Sequence, residues 1–199
     1  MGTRAAQGER QNALWAWAFR ARALPPVVVY STCRGRWVAC GGRVNHLGIQ
    51  QKMRDILLVD DSENDRILLT EALRGVDPEL RVHQVCDGEE CLDFLRRQGA
   101  YAAAAAPDLV LLDLHLRRLD GTEVLAEMQA DLALRHIPVV VLSTSASSHE
   151  ITMVYQRGCR AYMVKPASFH EMRRRLGVLI TYWSEVAERP PHSLTRLAV

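Results

Sequence analysis

At 199 residues, 48% apolar and 24% charged, the chain has room for one ordinary soluble domain plus tails. Its formal charge of +2 hides a split: residues 1–52 carry eight Lys/Arg against one Glu, a net of +7, and residues 53–199 carry 17 against 22, a net of −5. The basic balance therefore does not make the body a nucleic-acid binder, and five cysteines without a CxxC pair exclude a zinc or disulfide framework and favour reduced, cytoplasmic thiols.

Residues 1–52 show no sustained period. Their one apolar patch, Ala13 to Phe19, is seven residues long and is followed by Arg20 and Arg22, which suits neither a signal peptide nor a membrane span of ~20 residues. The segment reads as an extension translated ahead of a working start at Met53, with little fixed structure expected. The sharper alternative is a basic, Trp-bearing arm for RNA or an anionic membrane.

From Met53 onward strands and helices alternate. Strands are predicted at 55–60, 80–86, 108–112, 138–142 and 160–164, the first, third and fourth as unbroken apolar runs that suit parallel strands buried on both faces. Helices are predicted at 64–74, with Leu68, Leu69, Ala72 and Leu73 on one stripe and Gly75 and Pro78 closing it, and at 88–98, with Asp87 as N-cap and Gly99 as the stop. Further helices are expected at 122–132, 149–157 and 168–186, the last with Met172, Leu176, Leu179, Ile180 and Trp183 inward. Ala102 to Ala106 read as a surface loop, and Pro190-Pro191 open a tail over 188–199. The order βαβαβαβαβα makes the chain α/β, with a five-stranded parallel sheet and helices on both faces. The domain is placed at 53–187.

Chemistry gathers where the strands end. The first delivers Asp60-Asp61, the third Asp113, the fourth Ser143 and Thr144, and the fifth Lys165-Pro166. In an open α/β sheet these C-terminal tips share one crevice. Three carboxylates there repel one another unless a cation lies between them, and oxygen donors with room for water suit Mg²⁺. A lysine and a hydroxyl beside them suit a dianionic phosphoryl group. Lys165 is one of only two lysines against 23 arginines.

On Asp60-Asp61, Asp113, Ser143, Lys165-Pro166 and Asp120-Gly121, the chain resembles a two-component response-regulator receiver domain over about residues 53–186. The spacings of 30 positions from Asp113 to Ser143 and 22 from Ser143 to Lys165 follow that family's pattern. The alanine-rich insertion, Val141-Leu-Ser-Thr-Ser145 and Tyr182-Trp183 are most similar to stand-alone regulators that partner phytochrome-type histidine kinases. The resemblance implies a flavodoxin-like, doubly wound (βα)5 fold. It implies that Asp113 is the phosphoacceptor, that Lys165 pairs with it, and that Ser143 and Tyr162 form the switch. It also implies Mg²⁺ held by Asp60, Asp61, Asp113 and the backbone carbonyl of His115. Spacing selects Ser143 over Thr144. Family members usually carry proline where this chain has Arg117, a departure that bears on the stiffness of the loop.

Rival readings fail on particular residues. A haloacid-dehalogenase-type phosphatase needs an aspartate where Arg118 stands, and a nucleotide-binding domain wants glycines where Asp61-Ser62-Glu63-Asn64 stands. A receiver-like interaction module that is not switched by phosphorylation is the alternative kept. The expected function is a single-domain relay, not a turnover enzyme, whose partners are a sensor histidine kinase and a second copy. The dimer is expected through the fourth helix, fifth strand and fifth helix, with Tyr182, Val186 and a C-terminal arm.

Overall fold

The computed structural model describes residues 53–187 and the backbone of residues 30–33 and 36–39. Expectations for the rest of 1–52 and for 188–199 lie outside the described residues. In a unit separate from the main body, Tyr30–Cys33 pairs antiparallel with Arg36–Ala39. The sequence reading expects no strand there. Aromatic and β-branched residues, among them Tyr30, Thr32, Trp37 and Val38, supply the propensity on both sides of Arg34-Gly35.

The main body is built from β1 (Asp55–Val59), α1 (Glu63–Arg74), β2 (Arg81–Val85), α2 (Gly88–Arg96), β3 (Leu109–Asp113), α3 (Gly121–Ala130), β4 (Val139–Ser143), α4 (Ser148–Gln156), β5 (Ala161–Val164) and α5 (Phe169–Thr181). All five strands are parallel, in the order β2-β1-β3-β4-β5. This is the doubly wound, flavodoxin-like order, whose switch point lies between β1 and β3.

Every residue of β1, β3 and β4 is buried, whereas β2 and β5 form half-exposed edges. Strand alternation divides the core in two. Leu57, Val59, Val110, Leu112, Val139 and Val141 face a layer holding Cys91 and Phe94 of α2, Val124 and Leu125 of α3 and Val154 of α4. Ile56, Leu58, Leu109, Leu111, Val140 and Leu142 face Leu69 and Leu73 of α1 and Leu176 and Ile180 of α5. Each fully buried aliphatic side chain contributes roughly 1.5–3 kcal/mol, so the central strands are fixed in register and their tips are held at defined depth.

Several boundaries differ from the sequence reading. Leu68 is 51% exposed, and α1 instead buries Thr70 beside Leu69, Ala72 and Leu73, a rotation of the stripe by about one position. Helix α2 stops at Arg97, which takes the left-handed conformation (φ 55°) two residues before Gly99. The last helix is α-helical only to Thr181 and continues as a π-helical turn over Tyr182–Val186. The expected N-cap at Asp87 is present, accepting from the Glu90 N–H.

The loop after β3 is pinned by α3. Asp120 and Glu123 form a reciprocal cap, and the Gly121 N–H donates to the Leu114 carbonyl at 2.9 Å. A Cβ on Gly121 would stand 2.4 Å from the Asp113 carbonyl oxygen and 2.7 Å from the Leu114 Cα. Gly121→Ala is therefore expected to push the tip of β3 out of place and destabilise the fold by about 1–3 kcal/mol. Urea denaturation checks this; an unchanged midpoint would show that the loop yields freely.

Candidate functional site

The site is assembled from the C-terminal tips of β1, β3, β4 and β5. Parallel register sets Val59 beside Leu112, Asp113 beside Leu142, and Ser143 beside Val164. Asp60, Asp113, Ser143 and Lys165 therefore leave adjacent strands at one edge. The Lys165 N–H donates to the Ser143 carbonyl at 2.7 Å, which extends the β4–β5 ladder by one step and fixes where the lysine starts.

Lys165 Nζ donates to Asp113 Oδ2 at 2.8 Å, to Asp60 Oδ2 at 2.7 Å and to Asp65 Oδ2 at 2.9 Å. Its side chain is 8% exposed, and those of Asp60 and Asp113 are 1% and 12% exposed. Burial by itself would push the ammonium down; the hydrogen bonds it donates to Asp113, Asp60 and Asp65 outweigh this and hold Lys165 above the usual lysine range. Burial raises the Asp60 carboxyl, an effect that the bond from Lys165 offsets only in part.

The remaining acids are held locally. Asp60 Oδ1 accepts from the Ser62 N–H at 2.9 Å. Asp113 Oδ1 accepts from the His115 N–H at 3.3 Å, while the His115 side chain faces solvent. Asp61 Oδ2 accepts from Arg117 Nε at 3.1 Å, and that arginine is 77% exposed. The departure at position 117 thus affects charge as well as loop stiffness. Asp60, Asp61, Asp65 and Asp113 outnumber Lys165, Arg117 and Arg66, whose Nη1 donates to the Asp60 carbonyl at 2.6 Å, and leave the edge negative. That surplus and an all-oxygen donor set fit one hard divalent cation.

The two switch candidates turn towards α4. Ser143 is fully buried, and its Oγ donates to Glu150 Oε1 at 3.1 Å while accepting from the Ser145 N–H at 3.2 Å. Thr144 is exposed, so depth agrees with spacing in favouring Ser143. Tyr162 is half-buried, its Oη within 2.8 Å of the Ser145 carbonyl and in a short hydrogen bond with Glu150. Burial, reinforced by the bond to Glu150, pushes the Tyr162 phenol up.

The structure therefore brings Asp60, Asp113 and Lys165 into one contact, leaves Asp61 beside them on Arg117, and turns the Ser143 and Tyr162 hydroxyls to Glu150. Sequence reasoning missed Asp65 and Glu150. A signal was available for both, since each stands four residues before a fully buried helical residue, Leu69 and Val154. A carboxylate on the buried stripe of a helix has to meet a partner. A group formed by Cys86, Asp87 and Glu90 lies at the start of α2, where both acids serve the helix cap.

Comparison with known proteins agrees with this geometry. The response regulator receiver domain pattern matches residues 56–177. The chain is 36% identical over 137 residues to the response regulator Rcp1 of Synechocystis sp., a match covering 68% of this chain and 92% of that protein. The phosphorylated cyanobacterial phytochrome response regulator RcpA superimposes with a TM-score of 0.66 at 39% identity, over 70% of this chain and 99% of that one. The Mn²⁺-bound form of Rcp1 gives 0.64 at 33% identity, over 69% and 99%. The chain belongs to the response regulator receiver domain family.

Proposed function

We propose that this chain is a cytoplasmic phosphoacceptor that takes a phosphoryl group on Asp113 from a phosphohistidine of a sensor kinase. The reading rests chiefly on one observation: Lys165 Nζ joins the carboxylates of Asp60 and Asp113, from β1 and β3, at the switch point of the sheet. Relatives named for phytochrome signalling support a phytochrome-type kinase as donor.

Asp113 Oδ2 is held by Lys165, whereas Oδ1 has only the long contact from His115 and is the oxygen left for attack. An Asp113 oxygen forms the new bond to phosphorus, the P–N bond of the donor breaks, and its electron pair stays with the imidazole. Lys165 keeps Asp113 ionised and oriented beforehand and has donors for a phosphoryl oxygen afterwards. Asp60, Asp61 and Asp113, with the His115 carbonyl, are the donors for Mg²⁺, which would offset charge on the transferring group. With no metabolite as substrate, the chain relays a signal and does not act as a turnover enzyme.

Exposed apolar residues support readout through a protein partner. Val178, Tyr182 and Val186 are 64%, 50% and 65% exposed along α5 and its π-helical end, and Tyr155 of α4 is 49% exposed. These residues favour a homodimer through α4, β5 and α5.

Asp113→Asn is expected to abolish Mg²⁺-dependent labelling by acetyl phosphate or a phosphorylated kinase while keeping the fold. Undiminished labelling of that variant would refute the assignment, and a wild type that no donor labels would favour the unswitched interaction module. Arg117→Ala is expected to bind Mg²⁺ several-fold more tightly by calorimetry, because a guanidinium leaves Asp61; weaker binding would make the arginine a support of the site. In sedimentation, the wild type with a phosphoryl mimic is expected to dimerise, and Tyr182→Ala or truncation after Ala187 to weaken the dimer. A wild-type monomer at high micromolar concentration with and without the mimic would remove the dimer.

A further inference from the structure

Ser143 ends β4 and Tyr162 lies within β5, yet both hydroxyls reach the same atom. Glu150 Oε1 accepts from Ser143 Oγ at 3.1 Å and from Tyr162 Oη, whose one proton is shared with the Ser145 carbonyl at 2.8 Å. Glu150 stands in the first turn of α4, half-buried, and Val154 one turn later is fully buried, so packing fixes the direction in which the carboxylate points. Hydrogen bonds to an ionised acceptor are about twice as strong as neutral ones.

A serine hydroxyl has one proton to donate. That of Ser143 has Glu150 Oε1 and the Tyr162 hydroxyl in reach, the carboxylate being the charged acceptor of the two, and Ser143 Oγ accepts from the Ser145 N–H. Because Ser143 is fully buried, a hydroxyl released from Glu150 must find another acceptor inside the protein, since an unpaired buried polar group is costly. We propose that Glu150 is a positioning residue of the switch: it holds the Ser143 and Tyr162 hydroxyls on one carboxylate oxygen, and it is the acceptor from which a phosphoryl group on Asp113 must draw Ser143. The proposal rests on the phosphoacceptor reading and adds a resting partner that sets how readily the site responds. Withdrawal of Ser143 leaves the shared oxygen to Tyr162 alone, so the carboxylate links the phosphoryl site to the β5 aromatic.

The inference predicts an effect opposite in sign to that of a structural role. An acid in the first turn also steadies a helix N-terminus, and losing that support would loosen α4 and weaken binding of a phosphoryl mimic. Loss of a competing acceptor strengthens it instead. The test titrates the full chain with beryllofluoride and Mg²⁺ by calorimetry for wild type, Glu150→Gln and Glu150→Ala, with circular dichroism confirming the fold. The Tyr162 ring signal is followed by NMR in tyrosine-labelled protein, assigned with Tyr162→Phe. The isosteric Glu150→Gln carries the test if Glu150→Ala does not fold. Both folded variants are expected to bind beryllofluoride roughly fivefold more tightly than wild type, as loss of one competing hydrogen bond implies. The Tyr162 signal is expected to shift even without the mimic. Wild-type binding with equal or weaker affinity in Glu150→Gln overturns the role of Glu150 alone. A wild type that binds no beryllofluoride overturns the phosphoacceptor reading and this inference with it.

Discussion

Lys165 Nζ lies within 2.9 Å of carboxylate oxygens from three separate elements, the tip of β1, the first turn of α1 and the tip of β3. Without that ammonium, three acids, two of them almost wholly buried, would face one another in a region of low dielectric. Each would then rise in pKa or force the strand tips apart. Lys165 can fill this position because its backbone is tied to Ser143 and the residues before it belong to the sheet. The lysine therefore depends on the β4–β5 pairing, and the geometry of the acids depends on the lysine.

With only one buried cation among several acids, the edge stays short of positive charge, and this deficit is what the proposed chemistry uses. A site already neutral would have no use for a divalent cation. The exposed Arg117 on Asp61 supplies part of the balance from a solvated side chain, a weak and replaceable contribution. Away from the acids, hydroxyls would carry the proposed response. Ser143, Ser145, Tyr162 and Glu150 form a continuous hydrogen-bonded patch from β4 through the following loop to α4 and β5. Change at the acid cluster thus has a short physical route to the α4 and β5 surface, made of groups that have alternative partners.

The sheet was legible because strands buried on both faces leave unbroken apolar runs, and such runs end where the backbone leaves the core. Asp60, Asp113, Ser143 and Lys165 could be read directly from that pattern. Asp65 and Glu150 carry only a weaker signal, their place one turn before Leu69 and Val154, and it is masked because an acid in the first turn of a helix is ordinary for its effect on the helix dipole. Similar reasons cover the smaller misses. Leu68 fits a helical stripe better than Thr70 on hydrophobicity alone, yet Thr70 is the buried one, its hydroxyl accepting from Gln84 Nε2 of β2 at 3.0 Å, a contact with no local signature. Arg97 adopts a conformation usually left to glycine, so the glycine two positions later was the natural choice for the stop. The contact between Arg117 and Asp61 spans 56 positions and has no local signature.

One buried ammonium offsets the acids at the switch point, and a divalent cation would serve the same acids. Chemical denaturation of Lys165→Met against wild type, in the absence and presence of millimolar Mg²⁺, tests it most directly. A loss of about 3 kcal/mol is expected without metal, because the acids lose their counter-charge, with recovery of a large share of that loss when Mg²⁺ is added. A variant as stable as wild type without metal, or one that Mg²⁺ leaves unchanged, would contradict it.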